Sequence, residues 1–429
     1  MKIKSIFIFL VFITASSYSQ NYFQITGKII DKKTKEPLSF SSVYVSGEKY
    51  VGSISNELGD FIIKIPKGLS VDSLHVSFVS YKPNSFSIQD INDDTIFNII
   101  ELEGKSILLN EYIVTAVEPL ELLDQAFKKI PENYDLKPIM MRGFYAENIK
   151  LKSKLVGDNI LEKNNIESSL GHKEAILDIY RNPFNEKYTK KADNDYIKLI
   201  AWRQTGDKSD SSILADTPFS GAGPNTLINN DPLKDIKSLF LFRKNRKNYD
   251  FKLKGVKTID LRDVYVIEFD QKNSVEKQLY KGSILIDKES LAFNAIEYHL
   301  SPKGKKYNSM DKILFFGTQI NDLSKSITYK KYNQKWNLLH INYSENIDIE
   351  MYNTTLIGKT AFKKHKIKAD TIKINSKNQK HIIITEVEKK NVTPFEKNEL
   401  FTKSTEIKSE TNEDVWGDYN YFNSVKEID

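Results

Sequence analysis

Between residues 24 and 102 the chain alternates apolar and polar residues in short runs, which Gly, Pro, Asn and Asp interrupt. A period of two is typical of strands that bury one face, and the interruptions are typical of turns. The pattern predicts a small antiparallel β-sandwich with turns at residues 35–37 and 56–59. Its predicted inward-facing residues are Ile25, Ile29, Val43, Val45, Phe61, Ile63, Ile65, Leu74, Val76 and Phe78.

The period changes between residues 118 and 134, where Leu120, Leu123, Phe127 and Ile130 recur every three or four positions between two prolines. This spacing predicts a helix of about three turns with one apolar face. We expect the helix to link the sandwich to the remaining chain.

From residue 249 the strand pattern returns and continues almost to residue 390. Sequential strands with short connections pair antiparallel, so the pattern predicts one large curved sheet. The predicted strands are 249–257, 264–269, 279–287, 291–300, 313–317, 326–332, 336–343, 349–357 and 381–387.

Apolar residues fall on both faces of the predicted sheet. Ile284 and Ile286 share one face, and the leucine between them takes the other. In the next strand Phe293 and Ala295 are predicted to share a face. Both faces must then be at least partly covered. The predicted helix and the segment 174–180 are the candidates for this cover.

The first nineteen residues carry Lys2 and Lys4 ahead of an apolar run and end in small residues. This order is typical of a secretory signal peptide, which we expect to be cleaved before Gln20. The apolar run is far shorter than the ~20 residues that span a bilayer, and no later stretch is long enough. We therefore expect an exported protein with no transmembrane span in the mature chain.

The cysteine content and the net charge restrict which modifications and partners are expected. The chain has no cysteine, so neither a disulfide nor a lipid-modified cysteine is expected. The formal charge of +6 falls to +4 when Lys2 and Lys4 leave with the signal peptide, because residues 1–19 hold no acid. This mild charge gives no reason to expect a nucleic acid partner. The 429 residues are enough for two or three domains with their own cores.

The sandwich resembles the carboxypeptidase regulatory-like domain, which has a transthyretin-like fold. Asn56 and Ser80 depart from the family pattern at turn positions, where Asp and Gly are usual. The family's domain carries no catalytic residues, so the resemblance implies a fold and not a reaction. The matching residues are Gly27, Asp31, Thr34, Pro37, Leu38, Ser41, Val43, Val45, Gly52, Gly59, Phe61, Pro66, Ser77, Phe78 and Tyr81.

Other segments resemble parts of longer proteins that carry the same domain. ILLNEYIVTA at 107–116 is similar to the segment that follows the domain in TonB-dependent outer-membrane receptors, although it can equally be the last strand of the sandwich. In the segment 126–148, Ala146 stands where the similar proteins usually have a basic residue. The segments that resemble longer secreted proteins are 126–148, 174–184, 197–203 and 221–233.

Residues 280–298 and 326–343 resemble strands of the periplasmic lipoprotein-carrier half-barrel. In that fold a curved sheet wraps a helix and leaves an apolar cavity. The resemblance implies that the larger domain has a curved sheet, and it raises the possibility of a carried apolar ligand.

Candidate chemistry is sparse. None of the six histidines has the spacing of a zinc site, and no Gly-x-Ser-x-Gly motif occurs. The glycine-rich residues 221–224 lack the lysine of a phosphate-binding loop, so a tight loop is predicted there. The basic residues 243–247 can meet lipid head groups or form a solvated loop. We therefore predict no catalytic, cofactor-binding or metal-binding residues. The histidines are His75, His172, His299, His340, His365 and His381.

These patterns predict a mainly β protein with an N-terminal transthyretin-like β-sandwich, a short helical linker and a larger antiparallel β domain with a curved sheet. The predicted boundaries are a signal peptide at 1–19, the sandwich at 22–103, the linker with its helix at 104–135, the β-rich domain at 136–390 and a polar acidic tail at 391–429.

We expect a non-catalytic exported protein of the Gram-negative cell envelope, located in the periplasm or at the outer membrane. It would bind or scaffold an envelope protein, glycan or lipid at the periplasmic face of that membrane. Two alternatives stay open: a periplasmic carrier of an apolar ligand, and a hydrolase with an unrecognised site. A dry apolar cavity favours the carrier, and inward carboxylates or histidines in a cleft favour the hydrolase.

The first prediction concerns export. The mature chain should begin at Gln20, because the residues before it have the order of a cleaved signal peptide. Intact-mass measurement of protein from the envelope fraction checks this. A mature chain that retains Met1 would contradict it.

Overall fold

The computed structural model describes residues 22–38, 41–47, 51–55, 58–66, 71–78, 81–82, 84–88, 98–104, 118–156, 166–183, 193–205, 223–234, 243–259, 262–332, 334–360 and 363–388. The chain divides after Gly104 into two compact units, which are described separately. The predicted signal peptide at 1–19, the segment at 107–116 and the tail at 391–429 lie outside the described residues, as do Asn56 and Ser80.

The smaller unit consists of two sheets with strand orders β4-β1-β7 and β3-β2-β5-β6. All pairings are antiparallel except that of β1 with β7, which is parallel because the chain crosses from one sheet to the other before β7. The strands are β1 (Tyr22–Asp31), β2 (Ser42–Gly47), β3 (Val51–Ile54), β4 (Asp60–Pro66), β5 (Val71–Ser77), β6 (Asn84–Ser87) and β7 (Asn98–Leu102).

The core of the smaller unit lies between these sheets. Nine of the ten predicted inward-facing residues are buried in it, and the tenth, Phe78, packs against it half-buried. Both predicted turns contain a residue with positive φ, Lys35 at 62° and Gly59 at 80°. At Gly59 a Cβ atom would lie 2.4 Å from the carbonyl oxygen of Ile29, so no larger residue fits that turn without a shift.

Asp31 connects the first turn to the segment between β5 and β6. Its carboxylate accepts hydrogen bonds from the backbone N–H groups of Lys33 and Thr34, both at 2.6 Å, and from the hydroxyl of Tyr81 at 2.5 Å. The bond from Tyr81, followed by that from Thr34, lowers the pKa of Asp31 to about 2. Asp31 and Tyr81 both belong to the family pattern quoted above, and the structure explains their pairing.

The larger unit is built on an antiparallel sheet with strand order β10-β9-β8-β18-β17-β16-β14-β13-β12-β11, and β15 pairs with one end of β16. The last strand, β18, pairs with the first, β8, and this joins the two halves of the unit. The strands are β8 (Ile139–Val156), β9 (Ile166–Arg181), β10 (Tyr196–Thr205), β11 (Tyr249–Ile259), β12 (Arg262–Gln271), β13 (Tyr280–Asp287), β14 (Phe293–Leu300), β15 (Asp311–Ile313), β16 (Phe316–Tyr332), β17 (Lys335–Thr360) and β18 (Lys363–Glu388).

Helices pack on one face of this sheet, which we call the inner face. They share a single hydrophobic core with side chains from strands β8 to β14 and β16 to β18. A separate small cluster of Val264, Leu285 and Ala295 lies on the opposite face. The helices are α1 (Pro119–Lys128), α2 (Ile130–Asn133), α3 (Pro224–Asn229) and α4 (Arg243–Arg246), and a 3₁₀ helix spans Pro302–Tyr307. Among the described residues, no helix is long and apolar enough to cross a membrane.

The predicted helix forms, and its contacts group it with the larger unit. Its buried residues are Leu122, Leu123 and Ala126, whereas Leu120 is 45% exposed. The apolar stripe is therefore rotated relative to the prediction, because Leu122 and not Leu120 faces the sheet. The other proposed cover, residues 174–180, is part of strand β9 within the sheet.

Three strand predictions need correction. Residues 313–317 are not one strand but the tip of the β15–β16 hairpin. The predicted strands 336–343 and 349–357 are parts of one long strand, β17. Phe293 and Ala295 do not share a face, because a bulge pairs Ile286 with Phe293 and Leu285 with Ala295 and thereby turns Phe293 to the inner face. Ile284 and Ile286 do share the inner face, as predicted.

The second prediction is that residues 22–103 fold alone, since their core is complete within the smaller unit. The isolated fragment should unfold cooperatively in urea, followed by circular dichroism. Phe61→Ala in the fragment should lower the free energy of unfolding by about 3–5 kcal/mol, because Phe61 is fully buried. Absence of a cooperative transition in the unsubstituted fragment would show that the boundary is wrong.

Candidate functional site

The histidines do not converge on a site in the described residues. His75 lies in the smaller unit, where its Nδ1 is 2.7 Å from the hydroxyl of Ser85 and its ring stacks on Tyr44. His340 and His381 stack with ring centroids 6.2 Å apart, and burial lowers the pKa of His340 to about 4. No group of three or more His, Asp or Glu residues within the described part of the chain is arranged to hold a metal ion.

The other two sequence candidates have structural roles. Gly223 is the N-cap residue of α3, while residues 221 and 222 lie outside the described residues, so the tight loop predicted at 221–224 stays a prediction. The basic segment is not a solvated loop throughout, because Arg246 is buried in α4. Its guanidinium pairs with Asp124 at 2.7 Å and lies over the ring of Phe127. This basic residue therefore holds α4 to α1, while Lys244 and Lys247 are exposed.

A row of polar side chains crosses the inner face in direct register. Lys173 pairs with Glu147, Glu147 with Lys380, Lys380 with Tyr343, Tyr343 with Lys325 and Lys325 with Tyr298. The four charged residues of this row are each at most 3% exposed. We call these six residues the polar row.

Neighbouring side chains satisfy the carboxylates of the row and of Glu345, two residues further along β17. Glu147 accepts a hydrogen bond from the hydroxyl of Tyr145 at 2.6 Å, and Glu345 accepts bonds from Tyr343 at 2.5 Å and Asn378 at 2.7 Å. Burial raises the pKa of Tyr145 well above its ordinary value. Burial also lowers the pKa of Lys380, and the charges of Glu147 and Glu345 oppose that fall. The row and Glu345 thus hold three buried lysines, Lys173, Lys325 and Lys380, against two buried carboxylates.

A second polar group, which we call the ion cluster, lies where strands β9 and β10 meet the segment after α3. Arg181 pairs with Asp195 at 3.1 Å and with Asp231, and Lys234 pairs with Asp195. Asp231 also accepts a hydrogen bond from the hydroxyl of Tyr329. Burial by itself would lower the pKa of Arg181, but the charges of Asp195 and Asp231 outweigh burial and raise it. Two cations and two carboxylates leave the cluster without net charge.

The ion cluster joins elements that are distant in the sequence. Tyr134, which follows α2, donates a hydrogen bond to the carbonyl of Phe293 at 3.0 Å and meets the ring of Tyr329 edge-on at 5.9 Å. Lys325 of the polar row donates to the carbonyl of Asn230 at 2.8 Å, just after α3. Tyrosines and a lysine therefore connect the helices to the strands beneath them.

Beside the ion cluster lies a cavity of about 10 Å³, which has room for no more than a single water molecule. Arg181, Asn182, Trp336 and Asn337 are among its lining residues. Within the described residues, Trp336 Nε1 and Asn337 Oδ1 are buried without a hydrogen-bond partner. A bound water would satisfy such atoms. The space is too small for an organic substrate.

Two buried lysines of these groups have lowered pKa values. Lys234 and Lys325 have pKa values of about 8, since burial lowers both, and such values can mark a catalytic base. However, each ammonium group is already bonded within the core, and both residues are at most 3% exposed. No substrate can reach either nitrogen without opening the core.

Sequence reasoning assigned no role to the ion cluster, although it quoted the segments that form it. Tyr134, Arg181 and Asp231 each lie in a different segment that resembles longer secreted proteins, and Tyr329 lies in the segment that resembles the carrier strands. The available signal was Arg181 itself, a charged residue at the end of the apolar-rich run 175–180. Its partners could not be named because they come from distant parts of the chain.

Comparison with known proteins identifies the smaller unit. Residues 25–114 match the CarboxypepD_reg-like domain family, in agreement with the resemblance found in the sequence. The domain accounts for the N-terminal part of the chain and leaves the larger unit unassigned. No curated protein matches the chain.

Two solved structures show low similarity to the chain. A DUF1329 family protein from Desulfovibrio piger is 14% identical with a TM-score of 0.27, and the match covers 66% of this chain and all of that one. MucB, in its complex with MucA(peri), is 8% identical with a TM-score of 0.19, over 61% of this chain and 92% of that one. TM-scores this low do not establish a shared fold, so nothing about function follows from them.

The third prediction tests the buried lysine of the polar row. The pKa of Lys325 is about 8 in the folded protein against an ordinary value of 10.5. Between these values the unfolded chain binds more protons, so the free energy of unfolding should rise with pH by about 1 kcal/mol per pH unit from this residue. Below pH 8 the cost of the buried charge is fully present. Lys325→Met should remove this slope in urea unfolding between pH 8 and 10, read by tryptophan fluorescence.

Lys305→Met is the matched control, because Lys305 is exposed and its loss should leave the slope unchanged. The measurement stops at pH 10 since the buried tyrosines, whose pKa values are raised, destabilise the folded state above that pH. An equal slope in Lys325→Met and the unsubstituted protein would contradict the prediction.

Proposed function

We propose that the protein is a non-catalytic component of the Gram-negative cell envelope, exported to the periplasm, that binds or scaffolds a partner at the periplasmic face of the outer membrane. The observation that supports this most is the filled inner face of the large sheet. Leu123 of α1, Ile130 of α2 and Ile228 of α3 are fully buried in the same core as the strands. A sheet whose inner face is filled in this way acts through its surface.

The packing of the helices argues against a carrier of apolar ligands. A carrier needs a dry apolar cavity that can hold an acyl chain. Here the ring of Phe127 packs on Phe293 with centroids 5.0 Å apart, and Tyr134 and Tyr329 occupy the space next to them. Aromatic side chains therefore take the position that a ligand would need.

The pairing of the buried charges argues against a hydrolase. A general acid or base must reach a substrate within hydrogen-bonding distance. The buried carboxylates Glu147, Asp195 and Asp231 instead accept hydrogen bonds from protein groups within the core. The partner bound at the surface is an envelope protein, a glycan or a lipid, and the CarboxypepD_reg-like domain offers a second surface for such binding.

The fourth prediction distinguishes the proposed binding or scaffolding function from that of a carrier of apolar ligands. Protein purified from its own periplasm under gentle conditions should show the mass of the bare mature chain in native mass spectrometry, because the core leaves no room for a lipid. A known lipid-loaded periplasmic carrier, taken through the same purification, is the control that retention of a lipid is detectable. A co-purifying lipid at near-unit stoichiometry would mean that the carrier hypothesis replaces this one.

A further inference from the structure

The tip of the β15–β16 hairpin is the most apolar exposed part of the described chain. Ile313, Leu314, Phe315 and Phe316 follow one another and are 73, 89, 66 and 45% exposed. Ile313 pairs with Phe316, so Leu314 and Phe315 form a two-residue turn. Four consecutive large apolar side chains are thus exposed at the tip of a hairpin that lies beside strand β17. We call these four residues the apolar tip.

The geometry of the turn does not explain why Leu314 and Phe315 occupy it. Two-residue hairpin turns favour Asn, Asp and Gly, since at least one central residue needs a positive φ. Leu314 occupies such a position with a φ of 52°, which is unfavourable for a bulky side chain. Leu and Phe at the turn therefore weaken the hairpin and expose apolar surface. Residues that are unfavourable for the fold in both respects indicate a contact outside it.

The base of the hairpin holds the tip in place. The carbonyl of Phe315 accepts a hydrogen bond from the backbone N–H of Tyr352 at 2.9 Å. At Gly317 a Cβ atom would lie 2.8 Å from the sulfur of Met310, so β16 and the chain before β15 are in close contact there. The hydroxyl of Tyr352 bonds to Glu350 at 2.6 Å, and Glu350 pairs with Lys373 of β18 at 2.9 Å. The tip is thus presented by a packed base.

Exposed lysines accompany the tip. Lys305 and Lys306 lie on the 3₁₀ helix that leads to β15, and Lys312 directly precedes the apolar tip. The backbone carbonyl of Asn308 in the connecting segment accepts a hydrogen bond from the side-chain amide of Gln319 in β16 at 3.3 Å. The same stretch contains a single acid, Asp311. Apolar residues at the end of a hairpin with cations behind them match the layers of an anionic bilayer surface.

We infer that the apolar tip inserts into the surface of a lipid bilayer, with Lys305, Lys306 and Lys312 against its anionic head groups. The composition favours lipid over a protein partner, because an anionic bilayer surface takes up apolar side chains beside cations without the matching pocket that a protein would need. A second copy of the chain is less favoured, since the lysines of two tips would face each other.

This inference deepens the proposed envelope function and rests on it for the membrane concerned. It supplies the lipid surface on which the protein would act, without involving the core or the smaller unit. The tip belongs to the larger unit alone, and a test with purified protein and vesicles is independent of any protein or glycan partner. Failure of vesicle binding would overturn the inference and leave the proposed binding or scaffolding function standing.

The fifth prediction uses a double substitution that suits the turn. Leu314→Gly with Phe315→Asn removes two apolar side chains and places glycine at the position with positive φ, so the fold should be at least as stable. Binding of the full mature chain to vesicles of phosphatidylethanolamine and phosphatidylglycerol (3:1) is measured by co-sedimentation. The substitution should weaken binding by about tenfold or more, since burial of a Leu or Phe side chain changes a binding constant by that order.

Leu58→Asn is the matched control. Leu58 is 62% exposed in a turn of the smaller unit, and its loss should leave vesicle binding unchanged. The lysines are tested by exchange of Lys305, Lys306 and Lys312 for Gln, which should lessen binding to anionic vesicles and remove its salt dependence. Thermal unfolding of each variant shows that the fold is intact.

Three outcomes would overturn the inference. Vesicle binding by the unsubstituted protein could be absent, or it could be equal in the double variant. Sedimentation could instead show a dimer that the double variant loses, in which case the tip contacts a second copy of the chain and not lipid. Support requires that the double variant lose vesicle binding while it stays folded and the Leu58→Asn control binds normally.

Discussion

The larger unit depends on the burial of one face of its sheet. That face carries apolar side chains from ten strands, and such a surface is not stable in water. The helices that cover it come from the connections on either side of strands β8 to β10. Hydrogen bonds fix their positions: Tyr134 to the carbonyl of Phe293, and Lys325 to the carbonyl of Asn230. Neither the sheet nor the helices would be stable without the other.

The same burial explains the unusual number of paired charges inside. Once Arg181 and Glu147 are covered, each must find partners within the protein, because an uncompensated buried charge is costly. In the ion cluster two cations pair with two carboxylates, and in the polar row Glu147 lies between Lys173 and Lys380. A core of this kind opposes rearrangement, since any movement would leave a charge unpaired. Such a core is better suited to hold a rigid binding surface than to form an adaptable pocket.

Much of the fold could be predicted from the sequence where local pattern decides it. The alternation in the smaller unit identified its core, because each inward residue follows from the period of two. Prediction failed where distant contacts decide. Phe293 faces inward because of a bulge between β13 and β14. Leu122 and not Leu120 is buried on α1, because packing against the sheet decides which face of the helix is covered. The ion cluster combines Arg181 with Asp231, and no spacing in the sequence relates those two residues.

The polar row constrains the register in which strands β8 and β18 pair. Apolar alternation opposes a slip of one residue, because that slip would turn the buried side chains outward. It does not oppose a slip of two, because the same side chains would stay buried. A slip of two between β8 and β18 would place Lys380 opposite Tyr145 or Ile149 and leave Glu147 opposite Ile382 or Asn378. Each misaligned pairing would bury a separated charge. The lysine–glutamate pairing thus fixes the alignment of a strand of 18 residues with one of 26, where hydrophobicity alone would leave several alignments nearly equal.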